Sequence, residues 1–205
     1  MTEKKLLIVA RVVSALFNPF YLPVVGLLIP LLLSPFYMLP WTYKLTLLAM
    51  TYVLTALLPT ALIRLYIRYE GRSFLDVNPR ERRMIPYVIS IACYLLCYYL
   101  MRLMHIPAIM RSILLAALVI QLVSAIVNHW SKISTHMAAV GGMAGALAAF
   151  AAIFSFNPIW WLSIVILVAG VVGTSRMLLL QHSLGQICGG FIVGLLTALI
   201  TVLTA

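Results

Sequence analysis

Long apolar blocks separated by short polar islands set the pattern of this chain. The blocks lie at roughly 20–38, 43–66, 85–104, 107–130, 137–156, 158–174 and 187–204, and each approaches the ~20 residues that carry an α-helix across a bilayer. None shows the alternation of polar and apolar positions that marks a membrane barrel strand. Backbone N–H and C=O groups inside hydrocarbon find no water, so the blocks are predicted to be helices, which pair those groups internally. The pattern predicts an all-α, polytopic transmembrane helix bundle, with residues 1–205 forming a single integral membrane domain.

Residues 5–17 differ from the other apolar stretches: Arg11 interrupts them and Asn18-Pro19 stops them, with Pro23 soon after. This pattern predicts an N-terminal interfacial or re-entrant helix; fusion with the next block into one bent spanning helix is the other reading. A cleaved leader fits less well, because of Arg11 and because no small-x-small cleavage site follows.

Composition agrees with the pattern. Hydrophobic residues make up 64% of the 205, charged residues only 9%, and the mean hydropathy is +1.12, which defines an integral membrane protein. The net charge of +10 has no soluble basic module to present it to a nucleic acid, so anionic membrane lipids and phosphorylated lipids are the expected partners. Cys93, Cys97 and Cys188 fall within apolar blocks as small fillers and do not resemble a zinc site. Gly141 and Gly145, Gly185 and Gly189, and Gly190 and Gly194 form small-x3-small pairs expected to let helices approach closely.

The basic residues divide unevenly between the two ends of the predicted spans. Lys4, Lys5, Arg11, Arg64, Arg68, Arg72, Arg80, Arg82, Arg83, Lys132 and Arg176 fall on one side, and Lys44, Arg102 and Arg111 on the other. The positive-inside tendency places the richer side in the cytoplasm. An anion site needs arginines whichever way it faces, so part of the bias has a chemical origin.

Three polar islands lie on that richer side. The arginine cluster at 80–83, the run Ser134-Thr135-His136 and the run Ser175-Arg176 with His182 are separated from one another by two spans each, and every pair of spans returns the chain to the same face. Histidines, serines and guanidiniums at the edges of apolar spans are expensive in lipid and generally mark a site. Their mixture suits a phosphate: guanidiniums contact oxygens in bidentate fashion, an ammonium acts as a point charge, and hydroxyls donate hydrogen bonds.

These islands resemble the signatures of the type 2 phosphatidic acid phosphatase (PAP2) superfamily. Ser175-Arg176-x5-His182 matches its third signature, Ser-Arg-x5-His-x3-Asp, except that Gln186 stands in place of the aspartate. Ser134-Thr135-His136 is similar to the second, Pro-Ser-Gly-His, with Ile133 and Thr135 replacing the proline and glycine. The arginines at 80–83 with Pro86 sit where the first, Lys-x6-Arg-Pro, is expected, although the lysine is missing. The resemblance covers about residues 60 to 195.

The resemblance implies a PAP2-type core of about six spanning helices and a lipid phosphatase that hydrolyses a phosphomonoester or diphosphate through a phosphohistidine. His182 would be the nucleophile and His136 the general acid and base. Arg176, Ser175, Ser134, Arg80, Arg83 and Lys132 would bind phosphate, with no metal and no cofactor. Gln186, four residues after His182, can still orient the imidazole but supplies no charge to stabilise an imidazolium. The alternative is a catalytically impaired PAP2-like protein that binds or moves a phosphorylated lipid. The resemblance also implies a multi-pass protein of a bacterial inner membrane with its site at the periplasmic face, opposite to the side given by the charge count.

Overall fold

The computed structural model of the chain describes residues 3–33, 35–70 and 79–204, and among these helices are the only regular elements. In chain order they are α1 (Glu3–Leu16), α2 (Leu22–Leu33), α3 (Trp41–Tyr52), α4 (Leu58–Glu70), α5 (Pro79–Leu103), α6 (Ala108–Trp130), α7 (Thr135–Phe154), α8 (Ile159–Leu178) and α9 (Leu184–Leu203). Six stretches are long and apolar enough to cross a membrane: Trp41–Glu70, Met84–Leu103 and each of α6 to α9. The protein is an all-α polytopic bundle.

The helix starts follow local chemistry. Pro40, Pro107 and Pro158 stand at the N-caps of α3, α6 and α8, where a missing N–H costs nothing. Ser134 and Ser183 cap α7 and α9, as hydroxyls prefer to do. A single π-helical turn, Val53–Leu57, joins α3 to α4. Pro59 is the second residue of α4 and has no N–H to donate to the Thr55 carbonyl, so the widened turn makes room for its ring.

One of the seven apolar blocks does not become a span. Residues 20–38 form the 12-residue α2 and a 3-10 turn at Pro35–Met38, and 12 residues at 1.5 Å each reach only about 18 Å of a ~30 Å core. Pro30 lies within α2, and Pro35 opens the 3-10 turn that comes after it.

Helix α7 lies at the centre, with 67% of its apolar window buried against 50% or less for the other five spans. Its contact with α9 is the most extensive among the described elements, because glycines remove the side chains that would separate the two. A Cβ on Gly141 or Gly145 would strike the backbone of Phe191 or Leu195, and one on Gly194 the backbone of Ala138. Gly185 and Gly189 do not share this role: a Cβ at either meets nothing within 4 Å.

Candidate phosphate site

The first turns of α7 and α9, the last turn of α8 and the end of α1 meet at one end of the bundle. The loop between α8 and α9 carries His182. It leaves α8 through Leu180, whose φ of 53° is left-handed. That conformation is unusual for leucine, and it turns the chain so that Gln181 N–H bonds to the Arg176 carbonyl.

Gln186 is the third residue of α9 and folds back over the helix start. Its Oε1 accepts from the Ser183 backbone N–H at 3.3 Å, half of a capping box. That backbone donor identifies the atom as oxygen rather than nitrogen. The same Oε1 lies 3.2 Å from His182 Nδ1, and since an amide oxygen only accepts, Nδ1 must carry the proton and Nε2 the lone pair. His182 itself lies before the helix cap, so the contact runs through the capping residue and not along a shared helix face.

His136 is held in a parallel way by a residue the sequence did not suggest. Its Nε2 lies 3.1 Å from the Ser14 carbonyl oxygen, which fixes the proton on Nε2 and leaves the lone pair on Nδ1, buried and without a partner among the described residues. Arg176 Nη1 donates to Ser14 Oγ at 2.6 Å, so one residue of α1 touches both the imidazole and the guanidinium. His136 lies near both Arg176 and His182. Nothing in the run 5–17 distinguishes Ser14, whose partner Arg176 is 162 residues away.

The remaining candidates are placed differently. Lys132 donates to the Gln181 carbonyl and thereby braces the His182 loop. Ser175 Oγ donates back to the Val171 carbonyl at 2.8 Å, which leaves it able to accept but not to donate. Ser134 is fully buried; its Oγ faces Met137 N–H and its own N–H bonds to the Gln186 carbonyl, tying the starts of α7 and α9 together. The side chains of Arg80 and Arg83 lie outside the described residues.

A cavity of about 400 Å³ opens at this end, lined by Pro86, Tyr87, Asn128, Lys132, Thr135 and His182 among others. The start of α5 thus reaches the same pocket as the His182 loop. Asn128 and Gln121, which also lines this cavity, are further members that the motif reading missed. Their signal was present, since Gln121, Ser124 and Asn128 form an i, i+3, i+7 polar stripe inside an apolar block. No carboxylate among the described residues pairs with Arg176, Lys132 or His136. A cationic cluster at the edge of an apolar bundle is stabilised by an anionic ligand.

Residues 121–205 match the PAP2 superfamily model. The match holds the Ser134-to-His136 and Ser175-to-His182 islands and leaves the arginine cluster outside. No curated protein and no solved structure matches the chain.

Proposed function

We propose, starting from a multi-pass membrane protein whose residues 121–205 match the PAP2 superfamily, that it is a membrane phosphatase acting on a lipid phosphomonoester or diphosphate through a phosphohistidine. The coarse part, a membrane-bound hydrolase of the phosphatase type, rests on the family match. The observation that carries the finer part is the His182–Gln186–Ser183 chain of contacts, which presents Nε2 of His182 as an unprotonated nucleophile.

The chemistry follows from the two tautomers. His182 Nε2 attacks phosphorus; the P–O bond to the lipid breaks as the P–N bond forms, and the Gln186 carbonyl supports the proton left on Nδ1. Negative charge on the phosphoryl oxygens is met by Arg176, whose fixed guanidinium requires little reorganisation as the charge shifts. His136, oriented by Ser14, gives a proton to the departing alkoxide from Nδ1 once the ring is doubly protonated. It then takes one from the water that cleaves the P–N bond. Inorganic phosphate and the dephosphorylated lipid leave, His136 gives back to solvent one proton for the one it drew from solvent at the start, and both rings return to their starting states. Purified protein is expected to release phosphate from such lipids in the presence of a chelator; no release from any of them would sink the reading in favour of a lipid-binding role.

Gln186 offers a graded test. Glutamate has the same length, can keep the bond to Ser183 N–H and adds a charge favoured at a helix start. Gln186→Glu is therefore expected to raise turnover several-fold by stabilising the imidazolium, and Gln186→Ala to lower it about tenfold through loss of a single orienting bond. Parental turnover in a folded Gln186→Ala protein would remove this residue from the mechanism.

Ser14→Ala retains the carbonyl that holds His136 at 3.1 Å and removes the hydroxyl, which accepts from Arg176 at 2.6 Å and makes only a longer, 3.4 Å contact with His136 Nε2. A hydrogen bond to a charged group is worth roughly 1.5–3 kcal/mol, so KM is expected to rise about tenfold or more with kcat largely preserved. A fall in kcat alone would place Ser14 on the proton-transfer step instead.

The reading puts the site at the periplasmic face of a bacterial inner membrane. Ser131, exposed beside Lys132, reports sidedness: a Ser131→Cys protein without other cysteines should react with an impermeant maleimide on intact cells stripped of their outer membrane. Labelling only after lysis would put the site in the cytoplasm.

A further inference from the structure

Helix α1 enters the phosphatase reading only through Ser14, which leaves most of its surface unexplained. Its 14 residues reach about 21 Å at 1.5 Å each, too short to cross a ~30 Å hydrocarbon core. The side chains sort into three faces. Ala10 and Ser14, four apart and so on one stripe, are buried, and α1 packs chiefly on α8. Lys4 and Arg11, seven apart and so within about 20° of each other around the axis, are exposed on a flank about 90° from that stripe. Ile8, Val9, Val12 and Leu16, each more than half exposed, make up the remaining arc. Lys5 is exposed among them, with a stem long enough to snorkel.

An apolar arc beside a basic flank, with Glu3 the one acidic residue of the helix, suits the edge of a bilayer. The apolar side lies among acyl chains and the basic side meets anionic headgroups. Acyl chains cover the arc whatever the headgroup, whereas only negative charge complements the flank. The hold of α1 on the bundle is slight by comparison. Its buried stripe is an alanine and a serine, which remove little apolar surface from water, and Val13 and Phe17 are only partly buried against the core. Yet that stripe touches the groups on which the site depends: Ser14 Oγ accepts from Arg176 at 2.6 Å and the Ser14 carbonyl lies 3.1 Å from His136 Nε2. A thinly packed element with both contacts sets the geometry of both groups by its seating.

We propose that α1 binds an anionic lipid surface, and that this seating holds Ser14 against Arg176 and His136, so that the charge of the leaflet controls turnover. The partner is the surrounding bilayer and not the substrate. The control of turnover rests on the phosphatase reading above; the binding of the surface does not. Each basic residue beside an anionic leaflet strengthens adsorption about fivefold, so Lys4, Lys5 and Arg11 together add a hold that the small packing stripe lacks. On a neutral surface α1 leaves α8 part of the time, and Arg176 loses its hydroxyl acceptor and His136 its carbonyl together. Ser14→Ala, by contrast, removes the hydroxyl and keeps the carbonyl. Loss of seating therefore lowers kcat as well as raising KM.

The test places the full chain in lipid nanodiscs, open on both faces, of dioleoylphosphatidylcholine alone or mixed with dioleoylphosphatidylglycerol or dioleoylphosphatidylserine. None of these is a phosphomonoester, so none competes as substrate. Two quantities are read: backbone amide exchange across α1, and kcat on butyl phosphate, a soluble alkyl phosphate. An anionic surface repels this substrate and raises its KM but leaves kcat untouched, which keeps bulk electrostatics out of the second readout. In the parent, either anionic lipid is expected to slow exchange in α1 about tenfold and to raise kcat about threefold or more. In a Lys4→Gln/Lys5→Gln/Arg11→Gln protein both responses are expected to vanish, with kcat at the parent's neutral-disc value. Its unfolding temperature should match the parent's, since all three side chains are exposed. Identical exchange or identical kcat in neutral and anionic discs, a response that survives in the triple variant, or a response to one anionic headgroup and not the other would overturn the proposal. Absence of hydrolysis in every disc would remove the phosphatase reading and with it the control of turnover, while exchange in α1 still decides whether the helix binds the surface.

Discussion

Alanine at position 182 should reduce lipid phosphate release to background, a loss on the order of a millionfold if it resembles deletion of other enzymatic nucleophiles. Alanine at 136 should cost about a hundred- to ten-thousandfold, the usual worth of a general acid–base group. The difference follows from the geometry. Without His182 there is no Nε2 lone pair to accept the phosphoryl group, and Gln186 Oε1 retains only Ser183 N–H. Without His136 the nucleophile remains, and what is lost is the proton delivered to the leaving oxygen. The His136→Ala protein should therefore be much less impaired on p-nitrophenyl phosphate, whose leaving group needs no proton, than on an alkyl phosphate, whereas His182→Ala should be equally inactive on both. Equal impairment of His136→Ala on the two substrates would mean that this histidine binds phosphate and does not transfer protons.

The second large effect concerns the packing that creates the site. Gly194→Ala should destabilise the protein by about 2 kcal/mol or more, within the range for overpacking, even though alanine is the better helix former by about 1 kcal/mol. The new methyl would meet the Ala138 carbonyl and the Gly142 backbone, and neither can turn aside as a side chain can. Forcing α7 and α9 apart also separates the Ser134 N–H from the Gln186 carbonyl, so activity should fall along with thermal stability. Gly189→Ala on the same helix is the control: a Cβ there meets nothing within 4 Å, and its unfolding temperature should match or exceed the parent's. Equal unfolding temperatures for the two variants would show that close helix approach at Gly194 is not what holds the pair together.

The spans and the relation of Gln186 to His182 were legible because their causes are local. A bilayer demands about 20 apolar residues whatever their neighbours, and four residues is a short reach around a helix start. Helix length overruled the block at 20–38, of which only 12 residues form α2. Ser14 was hidden for the opposite reason: its importance comes from the docking of α1 on α8, a tertiary event with no periodic signature. Ser134 and Ser175 carried signature letters, but the structure commits their hydroxyls to a helix cap and to a backbone carbonyl, a distinction residue type alone cannot make. Of the three glycine pairs, spacing could not separate the two that touch a neighbouring backbone from Gly185 and Gly189, which do not. The polar stripe from Gln121 to Asn128 could have been read, yet only the cavity gives it meaning, by showing that Gln121 and Asn128 both line it.

The central claim is that His182 carries the phosphoryl group. Incubating the protein with a lipid whose phosphate is radiolabelled, quenching with alkali within the first turnovers and mapping the label tests it directly. The account predicts alkali-stable, acid-labile phosphate on the peptide containing His182, more of it in the His136→Ala protein if water attack is slowed more than transfer, and none in His182→Ala. Label absent from His182 while lipid phosphate is being released, or turnover that survives His182→Ala, would contradict it.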